Sequence, residues 1–231
     1  MNVEVISFDV GWTLFDEDAR LWKWAEWLCN KLQHRHPFEV VEYYKRLCTV
    51  PKEERKSNSR SYDTILHFTN SPGFAAEWHK ESPWHKFDFE PYPGAIDCVA
   101  TLRKKGFRLI VISNQGVETR EYLRKWGIHD CFEWIGISKE LGVEKPDLRF
   151  YKKAIFETLV PPDQILHIGD RPDHDTEPAR AVGMRTCRIH TGPYKDMPNI
   201  SEPDLSFASM EEFNEFIRCG KILRTSRVDA K

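Results

Sequence analysis

Residues 8–16 read Phe8-Asp9-Val10-Gly11-Trp12-Thr13-Leu14-Phe15-Asp16, and the reading of this stretch decides the fold. It follows Val3-Glu4-Val5-Ile6-Ser7, a short apolar-rich run with the character of a buried strand. The strand stops at a carboxylate, and Gly11 breaks it. Open α/β sheets bind ligands just past the carboxyl ends of their strands, so Asp9 stands where chemistry is expected. A carboxylate there can attack as a nucleophile or hold a divalent cation. The competing reading is an aspartate that only caps a turn.

Three later stretches repeat the arrangement. Arg108-Leu109-Ile110-Val111-Ile112 is a second apolar strand, ending at Ser113-Asn114. Glu144-Lys145-Pro146-Asp147 puts a lysine at the mouth of a helix. Gln164-Ile165-Leu166-His167-Ile168 runs into Gly169-Asp170, with Asp173 and Asp175 close behind. Each motif alone is common. Together, in this order and each at a strand or helix end, they carry the weight. The sequence resembles the haloacid dehalogenase-like superfamily of hydrolases over all but residues 17–87 and a short C-terminal tail.

The resemblance implies a site. Asp9 is then the nucleophile, attacking phosphorus to form an aspartyl-phosphate that water hydrolyses. Magnesium is held by Asp9, the backbone carbonyl of Gly11 and Asp170, with Asp175, and in some arrangements Asp173, holding metal-bound water. Ser113 and Lys145 bind phosphate oxygens, Lys145 also offsets the charge of Asp9, Asn114 orients a neighbour, and Thr13 completes the substrate-binding set.

One departure governs the chemistry. The family's usual first motif is Asp-x-Asp-x-Thr, whose second aspartate serves phosphatases as general acid and base. Here that position is Gly11, and the next, commonly glycine, is Trp12. The metal site survives, because glycine keeps its carbonyl, but the proton-transfer group is missing. His85, His167, His174, Asp16 and carboxylates of the insert are candidate substitutes, His174 being the best placed. Three alternatives stay open. 2-Haloacid dehalogenases also lack the second aspartate, but lack the metal-type Gly169-Asp170 motif. Phosphonate cleavage would need a lysine able to form an imine. A catalytically silent relative would bind a phosphorylated ligand or a protein partner.

Further out, the pattern turns helical. Leu21, Trp22, Trp24, Ala25, Trp27, Leu28 and Leu32 repeat at helical spacing, with Asp16 or Asp18 as cap and a stop near His36-Pro37. Phe38–Leu47, Ser61–Phe68 and Gly73–His79 continue it without a strand. Residues 17–87 are therefore expected to be an α-helical cap inserted into an α/β core of residues 1–16 and 88–220. Its aromatic residues read mainly as core, and Lys52, Arg55, Lys56 and Arg60 as a solvated face or a loop meeting an anionic substrate. From Glu90 onward strand and helix alternate, which predicts a Rossmann-like parallel sheet with helices on both faces. Residues 221–231 are polar and expected to be loose.

Composition narrows the partners. The net charge of −2, with 30% charged residues, makes no electrostatic case for nucleic acid or an anionic membrane. No run reaches the length of a transmembrane helix, and the N-terminus leads straight into a strand carrying Glu4, unlike a signal peptide. Six cysteines are scattered without a CxxC pair, as free thiols in a reducing compartment, which makes the cytoplasm the expected location. The expected ligand is a small phosphorylated molecule.

Overall fold

Val5–Phe8 (β2) lies at the centre of the sheet because its residues are buried throughout. In the computed structural model, which describes residues 1–32, 40–49, 60–83 and 88–224, it is flanked by Arg108–Ser113 (β5) and Ile165–Gly169 (β7). Trp134–Ile137 (β6), Arg185–Ile189 (β8) and Leu205–Phe207 (β9) complete a six-stranded sheet of order β6-β5-β2-β7-β8-β9, with every pairing parallel. Strands covered on both faces read as continuous apolar runs, and Arg108-Leu109-Ile110-Val111-Ile112 shows the pattern.

Helices connect the strands. Leu148–Thr158 (α8) begins where Asp147 accepts a hydrogen bond from the Arg149 amide, and it packs against Glu177–Ala181 (α9). Phe150, Tyr151 and Ala154 of α8 and Ala179 of α9 share one buried cluster with Val5, Ile110, Ile112 and Ile165 of the sheet. Ala95–Lys104 (α5) packs against Met210–Arg218 (α10). Thr119–Lys125 (α6) lies in the β5–β6 crossover, and Ser138–Leu141 (α7) precedes α8 in the β6–β7 crossover. The mixed α/β architecture with a parallel central sheet is as the alternation predicts.

The chain divides into two compact units, Met1–Asp16 with Glu90–Lys231, and Glu17–Phe89. At the junction Phe15–Asp16 (β3) pairs antiparallel with Glu90–Pro91 (β4). The second unit contains Asp18–Leu32 (α1), Val40–Thr49 (α2), Arg60–Thr69 (α3) and Pro72–Glu81 (α4), with no strand among the described residues. Leu21, Trp24, Ala25, Leu28 and Leu32 bury the inner face of α1, while Trp22 is 41% exposed. Trp24 Nε1 donates to Ser82 Oγ at 2.7 Å, which gives the buried indole its polar partner. The cluster Lys52, Arg55, Lys56 and the Arg60 side chain, with Trp84, His85 and the helix stop at His36-Pro37, lie outside the described residues.

The tail departs from expectation. Leu223–Arg224 (β10) pairs parallel with Asn2–Val3 (β1), and Ile222 is buried. Ile222 anchors the segment, while Leu223 stays 57% exposed. Residues 225–231 lie outside the described residues.

Candidate active site

At the end of β2 the Asp9 amide donates to the Ile168 carbonyl of β7, which places the carboxylate between the central strands. The chain then turns sharply, the Val10 carbonyl accepting from Thr13, Leu14 and Phe15. From the end of β5, Ser113 Oγ donates to Asp9 Oδ1 at 2.7 Å. Lys145, only 3% exposed, sets Nζ 2.7 Å from the same Oδ1 and 2.6 Å from Asp175 Oδ1. Both donors engage Oδ1, so Oδ2 of Asp9 receives no hydrogen bond among the described residues. Asn114 turns its amide to the Lys145 backbone, accepting from Lys145 N at 2.7 Å and donating to its carbonyl at 2.9 Å.

Asp170 and Asp175 arrive from the end of β7 through a π-helical turn, Pro172–Thr176. Asp175 folds back so tightly that a Cβ on Gly169 would meet its Cγ at 2.3 Å; only glycine fits there. Oxygen atoms of Asp9, Asp170 and Asp175 lie within 4.8 Å of one another, and all three residues are buried. The two carboxylates of the turn are held in opposite ways. Burial opposes the charge of Asp175, but Lys145 and then His167 hold its carboxyl well below the usual range. Burial, then the neighbouring Asp175 and Asp9, push Asp170 well above it. Its Oδ2 is buried with no partner among the described residues. Burial alone would depress the Lys145 ammonium, and Asp175 and Asp9 more than offset that.

This trio fits a hard divalent cation. Three carboxyl groups gather around one ammonium, the donors are all oxygen, and the buried Asp170 Oδ2 has no partner among the described residues. Asp9, Asp170 and Asp175 are the residues that could hold it. Thr13 Oγ1, also buried, has no partner among the described residues, and Gly11 is drawn into a bridge with Phe15.

The candidate proton carriers fare differently. His167 is fully buried inside β7. His174 Nδ1 lies 2.9 Å from Asp173 Oδ2, and Asp173 is also gripped by Arg171 at 3.0 and 2.6 Å. Asp16 sits in β3, with its backbone paired to Glu90.

Sequence reading missed the seat of Trp12. This residue, 4% exposed, holds φ at 52°, a left-handed conformation that a bulky side chain rarely adopts. The Thr191 hydroxyl donates to its carbonyl. Gly192 leaves room for its ring, since a Cβ there would lie 2.5 Å from it, and Tyr194 meets it edge-on at 5.8 Å. Buried Arg188 holds this loop by donating to Asn199 Oδ1 and to the Tyr194 carbonyl. Arg171 covers Tyr194 at 4.2 Å. The only signal was a tryptophan where the family commonly has glycine. For Trp12→Gly, lost packing on the scale of about 3–5 kcal/mol outweighs the roughly 1–2 kcal/mol recovered from the left-handed backbone. Chemical denaturation should show net destabilisation of about 2 kcal/mol. A variant as stable as the parent would show that the loop 191–194 contributes nothing by holding the ring.

Residues 6–189 match the family model described as haloacid dehalogenase-like hydrolase. A glyceraldehyde 3-phosphate phosphatase of Methanopyrus kandleri is 34% identical over 169 residues, covering 71% of this chain and 72% of that protein. Among solved structures, a predicted phosphoglycolate phosphatase from Haemophilus somnus 129pt aligns with a TM-score of 0.75 at 16% identity, over 94% of this chain and 99% of that one. A HAD-hydrolase of Bacillus subtilis bound to magnesium aligns at 0.69 and 21% identity, again over 94% and 99%.

Proposed function

We propose that this chain, which belongs to the haloacid dehalogenase-like hydrolase family, is a magnesium-dependent phosphatase that acts on a small phosphorylated molecule through an aspartyl-phosphate. The observation that carries this reading is the buried Asp170 Oδ2, which has no partner among the described residues where it lies close to Asp9 and Asp175, with Lys145 beside both of them. The relative named as a glyceraldehyde 3-phosphate phosphatase supports the substrate class. When bound, magnesium supplies charge neutralisation at the phosphoryl oxygens.

The chain's own residues do the rest. The Asp9 oxygen that receives no hydrogen bond among the described residues, Oδ2, attacks phosphorus; the bond to the leaving oxygen breaks, and its electron pair leaves with that oxygen. Ser113 and Lys145 fix Oδ1 so that the carboxylate does not rotate away, and Lys145 adds positive charge beside the phosphoryl group. Water then attacks phosphorus, the P–O bond to Asp9 breaks with its electron pair returning to the carboxylate, and inorganic phosphate leaves with the proton of the water passing to phosphate or solvent. No carboxyl stands at position 11 to move a proton in either step. The helical unit Glu17–Phe89 serves as the cap that selects substrate, as the resemblance implies. The orphaned Asp170 oxygen disfavours a metal-free dehalogenase, whose chemistry leaves that carboxylate unsatisfied.

Metal removal is the test. Chelation of the purified protein should abolish hydrolysis of a phosphate-ester panel, and added magnesium should restore it, with calorimetry showing one bound ion. Hydrolysis unchanged in excess chelator would remove the proposal. A bound ion with neither turnover nor a phosphoenzyme burst would identify a silent ligand-binding relative instead.

A further inference from the structure

β2 and β7 each bury one polar side chain among apolar neighbours, and the two sit in direct register, Ser7 opposite His167. Both are fully buried. Ser7 Oγ lies 2.9 Å from His167 Nδ1, and His167 Nε2 lies 3.4 Å from Asp175 Oδ1. The edge of Tyr151 meets the imidazole at 5.4 Å, and the Tyr151 hydroxyl donates to the His174 carbonyl within the turn that carries Asp175. None of these groups reaches Asp9 directly.

The geometry points to His167 as a positioning residue, held by Ser7, that orients the Asp175 carboxylate and through it Lys145 and the metal-binding oxygens. The hydrogen-bond logic fixes the tautomer. A carboxylate only accepts, so Nε2 carries the proton facing Asp175; in the neutral ring Nδ1 is then the acceptor, and the Ser7 hydroxyl supplies its donor. Asp175 Oδ1 thereby has two donors, Lys145 Nζ at 2.6 Å and His167 Nε2, while Oδ2 accepts from the Arg171 amide at 3.0 Å. Lys145 is shared with Asp9, so rotation of Asp175 would carry the ammonium with it and release Oδ1 of the nucleophile. An apolar pair at these two positions would fill the space equally well. A buried Ser–His pair gains little for folding over apolar groups of the same shape, and its value lies in the donor aimed at Asp175.

This inference rests on the metal-site reading above, and its test separates the two. Glutamine can place an amide nitrogen near the imidazole Nε2 position, whereas asparagine mimics Nδ1 and leucine mimics neither. His167→Leu should weaken magnesium binding, read by calorimetry, about 10–100-fold, the usual scale for a group that orients a metal ligand. kcat should fall with KM little changed, and the melting temperature should drop modestly because the buried Ser7 hydroxyl is left without its partner. His167→Asn should behave like leucine, His167→Gln should recover most of the loss, and Ser7→Ala should give a smaller loss in the same direction. A crystal structure of metal-free His167→Leu should show Asp175 rotated and Lys145 displaced from Asp9. An unmoved Asp175, or unchanged magnesium affinity, overturns the inference. If the parent binds no magnesium, the metal reading fails instead, and the rotation of Asp175 in the metal-free crystal still decides the role of His167.

Discussion

Asp9→Asn is expected to lower turnover on the order of 10⁴-fold or more, the scale on which loss of a covalent nucleophile acts. An amide fills the same space and can still accept from Ser113 and Lys145 through its oxygen, but it attacks phosphorus poorly. Stability should hold or improve. The site crowds three carboxylates around a single lysine, and Lys145 keeps its contact with Asp175 at 2.6 Å when Asp9 loses its charge. The measurement pairs a thermal melt with intact-mass detection of the phosphoenzyme under acid quench. The parent should show a phosphoryl adduct and the variant none, at equal or higher melting temperature. Retained turnover in a pure sample of the folded variant would mean that another residue reacts.

The second large effect follows from Gly11. Without a carboxyl there, the leaving oxygen departs bearing its charge, so the rate should depend steeply on how well the leaving group carries it. Acyl phosphates and aryl phosphates with acidic leaving groups should react far faster than alkyl phosphates such as sugar phosphates. Hydrolysis of the aspartyl-phosphate needs the same missing group to activate water, so the intermediate should accumulate. Gly11→Asp should raise alkyl-phosphate turnover by up to about 10²-fold, at the lower end of what a positioned acid/base contributes. Position 11 is outside the left-handed region, so an aspartate can take its backbone without strain. Trp12 is committed to Gly192 and Tyr194 on the neighbouring loop, which fixes the turn but limits its adjustment around a new side chain, and a gain of several-fold is the lower bound that still supports the reading. Rates across leaving groups of graded pKa decide it. A flat dependence in the parent would show that another group already supplies the proton, with His174 the first to replace.

Strand character at Val5–Phe8, Arg108–Ser113 and Ile165–Gly169 could be read directly because each is a short apolar run ending in a polar break. The four motifs could be read for the same reason: strand ends in a parallel sheet converge, so residues far apart in sequence share one place. What sequence did not carry was local contact across that convergence. The alternation pattern marks His167 as an inward residue but not that Ser7 stands opposite it, since register depends on the pairing of two strands. Trp12 looks like an intrusion until Gly192 and Thr191, from the far side of β8, are seen to seat it. The pairing of Leu223–Arg224 with Asn2–Val3 was invisible because two residues are too few to show a period.

The antiparallel contact of Phe15–Asp16 with Glu90–Pro91 has a consequence for how such a protein can change. Paired strands run about 4.8 Å apart, so the chain leaves the sheet and comes back at nearly one point, however long the excursion between. Closing a longer excursion costs only about 0.6 kcal/mol per doubling of its length. The neck thus works as a socket. One set of helices can be lengthened, shortened or exchanged for another while Asp9, six residues upstream of the ribbon, keeps its place.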